Sequence, residues 1–332
     1  MASQQQLKHR IGSVRNTRQI TKAMELVAAS KMRRAQQNAI KGRDYATLAQ
    51  QLLSRLREIT DVSKHPLFEI RGEVHSRLHI IISSDLGKAG AYDPNILKAF
   101  TREVLADQAA GIKSHVITIG RKAANLASKL ENVDVLGSYT GFPEAPTAND
   151  LRPILSVAIG CFLAGMNSSK ADENDVNLYD RYVRRGAKTI EKNIEMLGEF
   201  AQVPENLPAV DVVDILFTNF KSSIAQEVAV QRLLPAAFTE EEISPDLEHA
   251  VFEPNPQAVL NAVTLRLIEV QLFQKILESL ASEQSARMLA MKNASDNASD
   301  IIDDLTLAFN TARQAAITQE LAEITGGAEA IA

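Results

Sequence analysis

The sequence is 332 residues long, 45% hydrophobic and net −5 at neutral pH, enough for a sizeable core and for two domains or one domain with an extension. No stretch approaches the roughly 18–20 uninterrupted apolar residues of a membrane span. The start, MASQQQLKHR, has neither the apolar centre of a secretory signal nor a long Arg/Ser-rich transit leader. The single cysteine, Cys161, excludes an internal disulfide or a dithiol redox pair, so a reducing compartment fits and the sequons at Asn167, Asn293 and Asn297 carry little meaning.

The charge is unevenly placed. Residues 1–45 hold ten Lys/Arg against Glu25 and Asp44, a net of +8, which leaves −13 on the remainder of the chain. A basic start on an acidic body points either to an anionic partner or to a solvated helix face. Residues 13–41 contain no Gly or Pro, and the helical pattern resumes after Gly42 to about Thr60. Leu7, Ile11 and Val14, then Ile20, Met24, Val27 and Ala28, form its apolar stripe.

The middle of the chain alternates. Runs rich in Val, Ile and Phe at 77–84, 114–120, 210–220 and 247–254 read as strands. Segments 94–111, 121–130 and 151–165 read as helices, so the expectation is an α/β domain with a mostly parallel sheet. Residues 166–209 are polar and charged, with a helix expected from about Asn177 to Phe200.

From Gln257 to Thr325 the chain runs 69 residues without Gly or Pro. As one helix this segment spans about 104 Å, so it must pack along its length. Met291, Ala294, Ala298, Ile301, Leu305, Ala308, Ala312, Ala315 and Ala322, with Gln319, follow alternating three- and four-residue steps. This is a heptad seam, mostly alanine, which allows close helix approach. An antiparallel two-helix coiled coil formed by the two ends of the chain satisfies both stripes.

Sites for chemistry are weak. The loop SSDLGKAGAYDPN (83–95) lies between a strand and a helix, where α/β proteins bind phosphates, but it satisfies neither the dinucleotide fingerprint nor the P-loop pattern. It reads as a plain turn. His75 and His79 are four apart at a strand entry with no further ligand nearby, and surface histidines are expected. Asp303–Asp304 and Glu320/Glu323 read as solvated helix faces. No acid/base or nucleophile constellation assembles, so a non-enzyme is expected. The basic start lacks aromatics for base stacking and a groove-reading fork. A coiled-coil scaffold or a nucleic-acid binder is the alternative at this point.

The two ends carry a resemblance. RIGSVRNTRQITKAMELVAASKMRRAQ (10–36) and ARMLAMKNASDNASDIIDDLTLAFNTARQAAITQELAEITGGA (286–328) strongly resemble the gamma subunit of F-type ATP synthases. Residues 213–235 and 252–263 look like that family's interior. The resemblance implies a rotor without cofactor or metal: an antiparallel coiled coil inside a ring of three alpha and three beta subunits. It also implies a Rossmann-like domain that meets the epsilon subunit and the ion-carrying membrane ring, on the cytoplasmic face of a bacterial membrane. The implied organisation is a shaft helix at 1–65, an α/β domain at 66–256 and a second shaft helix at 257–332. Lys22, Met24, Arg313, Gln314, Thr318 and Glu320 match the segments that contact the beta subunits' catch loops. Two departures stand out. Leu86, Lys88, Ala89, Ala91 and Asp93 differ from the family's S-D-R-G-L-C-G-x-Y-N loop, and 166–209 reads as an insertion of about 44 residues.

Overall fold

A computed structural model describes residues 4–61, 65–143, 145–165, 181–191, 207–237, 252–253 and 255–329. The chain divides into two compact units, Met1–Ser30 with Arg287–Ala332, and Lys31–Ala286. Helix α1 runs Gln4–Ile59 without a break, passing through Gly42 where the sequence suggested a pause. The last helix starts at Pro256, whose missing N–H costs nothing at a first helical position, and runs to Glu329.

In the larger unit the elements follow in order: β1 Ser76–Ile82, α2 Tyr92–Ala109, β2 Lys113–Ile119, α3 Arg121–Ala127, β3 Val133–Tyr139 and α4 Ala148–Ala164. A short helix α5 at 181–191 follows, then β4 Val212–Phe220, β5 Gln226–Leu234 and the last helix, α6. The sheet order is β3-β2-β1-β4-β5, with β1 parallel to β2 and β4, β2 parallel to β3, and β5 antiparallel to β4. Of the expected strand at 247–254 only Phe252 and Glu253 are described, and neither is in a strand, while most of the expected 177–200 helix lies outside the described residues.

The sheet sorts its side chains by alternation. Leu78, Ile80, Ile117, Ile119, Val213 and Ile215 pack with α4 and with residues Leu53 and Leu56 of α1 and Leu267 and Leu272 of α6. Ile81, Val116 and Leu216 face the other way, onto Ile96, Phe100 and Val104 of α2 and Ala123 and Ala127 of α3. The result is a three-layer α/β/α sandwich. Helix α5 lies on α4 through two glycines. A Cβ at Gly160 would stand 2.8 Å from the Tyr182 carbonyl oxygen, and one at Gly186 would stand 2.8 Å from that of Ser156.

One layer of buried charge crosses the α2 face. Asp107 of α2 lies 2.8 Å from His79 Nε2 and accepts from Ser114 Oγ at 3.2 Å. Arg77 lies 3.3 Å from Asp107 and donates to Asp214 at 3.0 Å, and Arg232 Nε donates to Asp214 at 2.7 Å. His79 is therefore a buried core partner, not the surface histidine expected from sequence, whereas His75 is exposed beside Glu73. Cys161 is buried in α4, and burial pushes its thiol pKa up.

Candidate coupling site

In an open α/β sheet, ligands bind beyond the carboxyl ends of the strands where the strand order reverses. Here that point lies between β1 and β4. The loop after β1 binds itself. Gly87, Lys88 and Gly90 adopt φ values of 69°, 56° and 56°. Asp93, in the first turn of α2, accepts from Ser84 N at 2.9 Å and Ser84 Oγ at 2.7 Å, so it holds the place an anion would take at that helix N-terminus. The first turn of α3 is likewise taken. Arg121 N donates to Asp85, Lys122 N to the Ser84 carbonyl and Ala123 N to Ser83 Oγ, at 2.9, 3.1 and 2.8 Å. Gly120 (φ 95°) permits this approach, since a Cβ there would stand 2.1 Å from the Ser83 oxygen.

The crevice itself is filled by α6. The β1–β4 pairing ends at Ile81–Leu216, so β4 runs on past its partner. Thr218 N donates to Ser279 Oγ at 3.0 Å, and Ser282 Oγ donates to the Thr218 carbonyl at 3.0 Å. Ser285 Oγ donates to the Ser223 carbonyl in the β4–β5 turn at 2.7 Å. The three serines are fully buried and recur every third residue along one side of the helix. Tyr92 and Ala89 pack against Ala286 beside them, and burial raises the Tyr92 pKa, with the Glu283 charge adding to it. These contacts fix both the rotation and the axial position of α6 on the sheet. Ser279→Ala removes the hydroxyl with little change in volume and strands the buried Thr218 N–H, with an expected cost of about 1–3 kcal/mol. Urea unfolding followed by far-UV circular dichroism checks this.

The smaller unit is an antiparallel helix pair, with the Gln4 side-chain amide donating to the Ala312 carbonyl at 3.3 Å. Its seam differs from the sequence reading in register. On α6 the inward positions are Met291, Ser295, Ala298, Ile302, Leu305, Phe309, Ala312 and Ala316. Met291, Ala298, Leu305 and Ala312 coincide with the expected stripe. Ile301 is 48% exposed while Ile302 is 9%, and Ala308, Ala315 and Ala322 face outward. On α1 the seam is Gln4, Leu7, Ile11, Val14, Thr21, Glu25 and Ala28, with Ile20 exposed at 61% and Thr21 buried. The steps alternate between three and four on α6, and on α1 apart from a seven-residue step between Val14 and Thr21, but the seam is less alanine-rich than expected because Ser, Ile and Phe fill it.

The outward residues are where other molecules can touch this pair. Lys22 is exposed and held by Glu25 at 3.0 Å, while Met24 is half-buried. Arg313, Gln314, Thr318 and Glu320 are all exposed, with Thr318 Oγ1 donating to the Gln314 carbonyl at 2.9 Å. The two groups are not at one level. Gln4 marks the level of Ala312, and Lys22 is 18 residues farther along α1, about 27 Å by helical rise. From Arg313 to Gly326 only Ala316 is even half-buried, and Ile317, Leu321 and Ile324 form an exposed apolar stripe. The outer surface is therefore not uniformly polar.

Comparison with known proteins fits this arrangement. A family described as ATP synthase matches residues 3–331. The ATP synthase gamma chain of Stenotrophomonas maltophilia (strain R551-3) is 33% identical over 331 residues, covering 100% of each chain. That of Chloroflexus aurantiacus (strain ATCC 29366 / DSM 635 / J-10-fl) is 35% identical over 333 residues, covering 100% of this chain and 99% of its own. The chain belongs to the ATP synthase gamma-chain family. A chain in the Euglena gracilis mitochondrial ATP synthase, OSCP/F1/c-ring, rotational state 3, shares the fold with a TM-score of 0.55 at 16% identity, covering 98% of this chain and 93% of that one. Among the residues of this gamma-family chain, the serine stitch was missed by sequence reasoning. Its only signal is three small hydroxyl residues, Ser279, Ser282 and Ser285, at a three-residue period.

Proposed function

We propose that this chain is the central-stalk rotor that couples ion-driven rotation of a membrane ring to ATP synthesis or hydrolysis on an alpha–beta hexamer. The single observation that carries the reading is the full-length match to gamma chains at 33–35% identity. Under this reading the two shaft segments, 1–65 and 257–332, turn inside three alpha and three beta subunits. The α/β domain, 66–256, meets the epsilon subunit and the membrane ring. The complex sits on the cytoplasmic face of a bacterial membrane, and no described helix is long and apolar enough to cross it.

The physical work follows from the geometry. Torque applied to the sheet reaches α6 through the buried serine contacts and the shared apolar core. Helix α6 contains no Gly or Pro between Gln257 and Thr325, so it resists twisting and bending along that length. The asymmetric outward surface then pushes the beta subunits in turn, with Lys22, Met24, Arg313, Gln314, Thr318 and Glu320 as the contacts. The chain makes and breaks no bonds itself. Co-expression with alpha, beta and epsilon subunits from the same genome tests the reading. A stable complex whose ATPase activity requires this chain supports it, and an active complex that excludes the chain refutes it.

A further inference from the structure

Helices α4, α5 and the start of α6 enclose an open groove of about 1210 Å³ on the larger unit. Its rim is cationic. Arg181, Arg185 and Lys188 occupy successive turns on one face of α5, and Arg152 of α4 stands across from them. Among the described residues, none of these four side chains forms an ion pair. The floor is apolar, formed by Leu155 and Ile159 of α4 and by Ala262 and Leu265 of α6. The Gly160–Gly186 crossing holds α5 close against α4, since backbone there meets backbone, with Leu207 packed beside both glycines.

The shape and charge select among anions. The volume exceeds the roughly 300–1,000 Å³ typical of small-ligand pockets. From Arg181 to Lys188 the cations run about 10 Å along the helix axis, too far apart to converge on one phosphate. Tyr182 is the one aromatic side chain among the described lining residues, so successive bases have no run of rings to stack on. A row of carboxylates at one-turn spacing, flanking an apolar stripe that meets the floor, matches both features. We propose that this groove docks an acidic amphipathic helix of a partner polypeptide, with its carboxylates against Arg152, Arg181, Arg185 and Lys188 and its apolar face on Leu155, Ile159 and Leu265.

The test uses the isolated full chain, so its outcome does not depend on assembly into a rotor. The probe is a fluorescein-labelled helical peptide with Glu one turn apart beside a Leu/Ala stripe, followed by anisotropy. The expected result is saturable, salt-sensitive binding that weakens roughly tenfold or more in Arg181→Glu/Arg185→Glu. Arg152→Glu, on the opposite wall, is expected to weaken binding as well, and it leaves α5 untouched should the double variant displace that helix. A scrambled peptide of the same composition is expected to bind at least roughly tenfold more weakly than the amphipathic one. The proposal is overturned by no binding, by equal binding of the scrambled peptide, or by binding unaffected by both variants. It is also overturned if anionic phosphatidylglycerol vesicles or duplex DNA compete for the same cations more tightly than the peptide.

Discussion

Asp214→Ala is expected to destabilise the larger unit by about 3–5 kcal/mol. The carboxylate is almost fully buried and receives Arg77 Nη1 at 3.0 Å and Arg232 Nε at 2.7 Å, from the two strands that flank β4. Removing it strands a largely buried guanidinium whose other carboxylate, Asp107, is already shared with His79 and Ser114. The charges cannot follow water inward, so the loss exceeds the net worth of either contact. A double-mutant cycle with Arg77→Met measures the coupling between the two residues: the second change removes the stranded guanidinium but leaves Asp107 with only His79 and Ser114, so the two losses are expected not to add. A loss below about 1 kcal/mol for Asp214→Ala, the level of an exposed ion pair, would contradict a buried network.

Acid is expected to weaken the same unit well before its carboxylates titrate. Burial lowers the pKa of His65 to about 4 and that of His115 to about 4, against an ordinary 6.5. For His65 the geometry explains why. Nδ1 accepts the Leu67 amide at 3.2 Å and must be unprotonated to do so, while Nε2 is buried with no hydrogen-bond partner among the described residues. The neutral ring fits and the cation does not. His115 is held neutral mainly by burial, opposed by Asp134 and reinforced by Lys113 and His79. Both folded pKa values lie below the unfolded value, so the unfolded chain binds more protons between them. Stability is complete above about pH 6.5 and falls as pH drops from there to about 4, at up to roughly 1.4 kcal/mol per pH unit for each histidine. Urea midpoints measured across this range should show the slope, and His65→Asn, which retains a capping acceptor, should remove about half of it. A flat profile between pH 6.5 and 4.5 would contradict the two buried neutral rings.

The long helices and the three central strands could be read directly because their signals are repeated. Near-continuous apolar runs such as RLHIII mark buried parallel strands, and 69 residues free of Gly and Pro admit little but helix. The edge strands were harder. In β3, VDVLGSY, a glycine and alternating polar residues dilute the pattern, and β5 keeps one side open to solvent. The seam register slipped for a related reason. Alanine is small enough to sit inside or outside, so Ala308 and Ala315 looked as suitable as Phe309 and Ala316. Only the position of the partner helix decides between them. His79 and Asp107 are 28 residues apart in sequence, so nothing local reveals the pair. The serine stitch belongs to the same class, since its partners, Thr218 and Ser223, are over 60 residues away.

The rotor account is tested most directly by watching the chain turn. Ile70 is 83% exposed on the larger unit, and Cys161 is buried, so Ile70→Cys provides one reactive thiol for a gold probe. With the alpha–beta hexamer fixed to glass and supplied with ATP, the probe is predicted to rotate in one direction, pausing at three equally spaced angles. ATP hydrolysis that proceeds in the same complexes while the probe stays still would contradict the account.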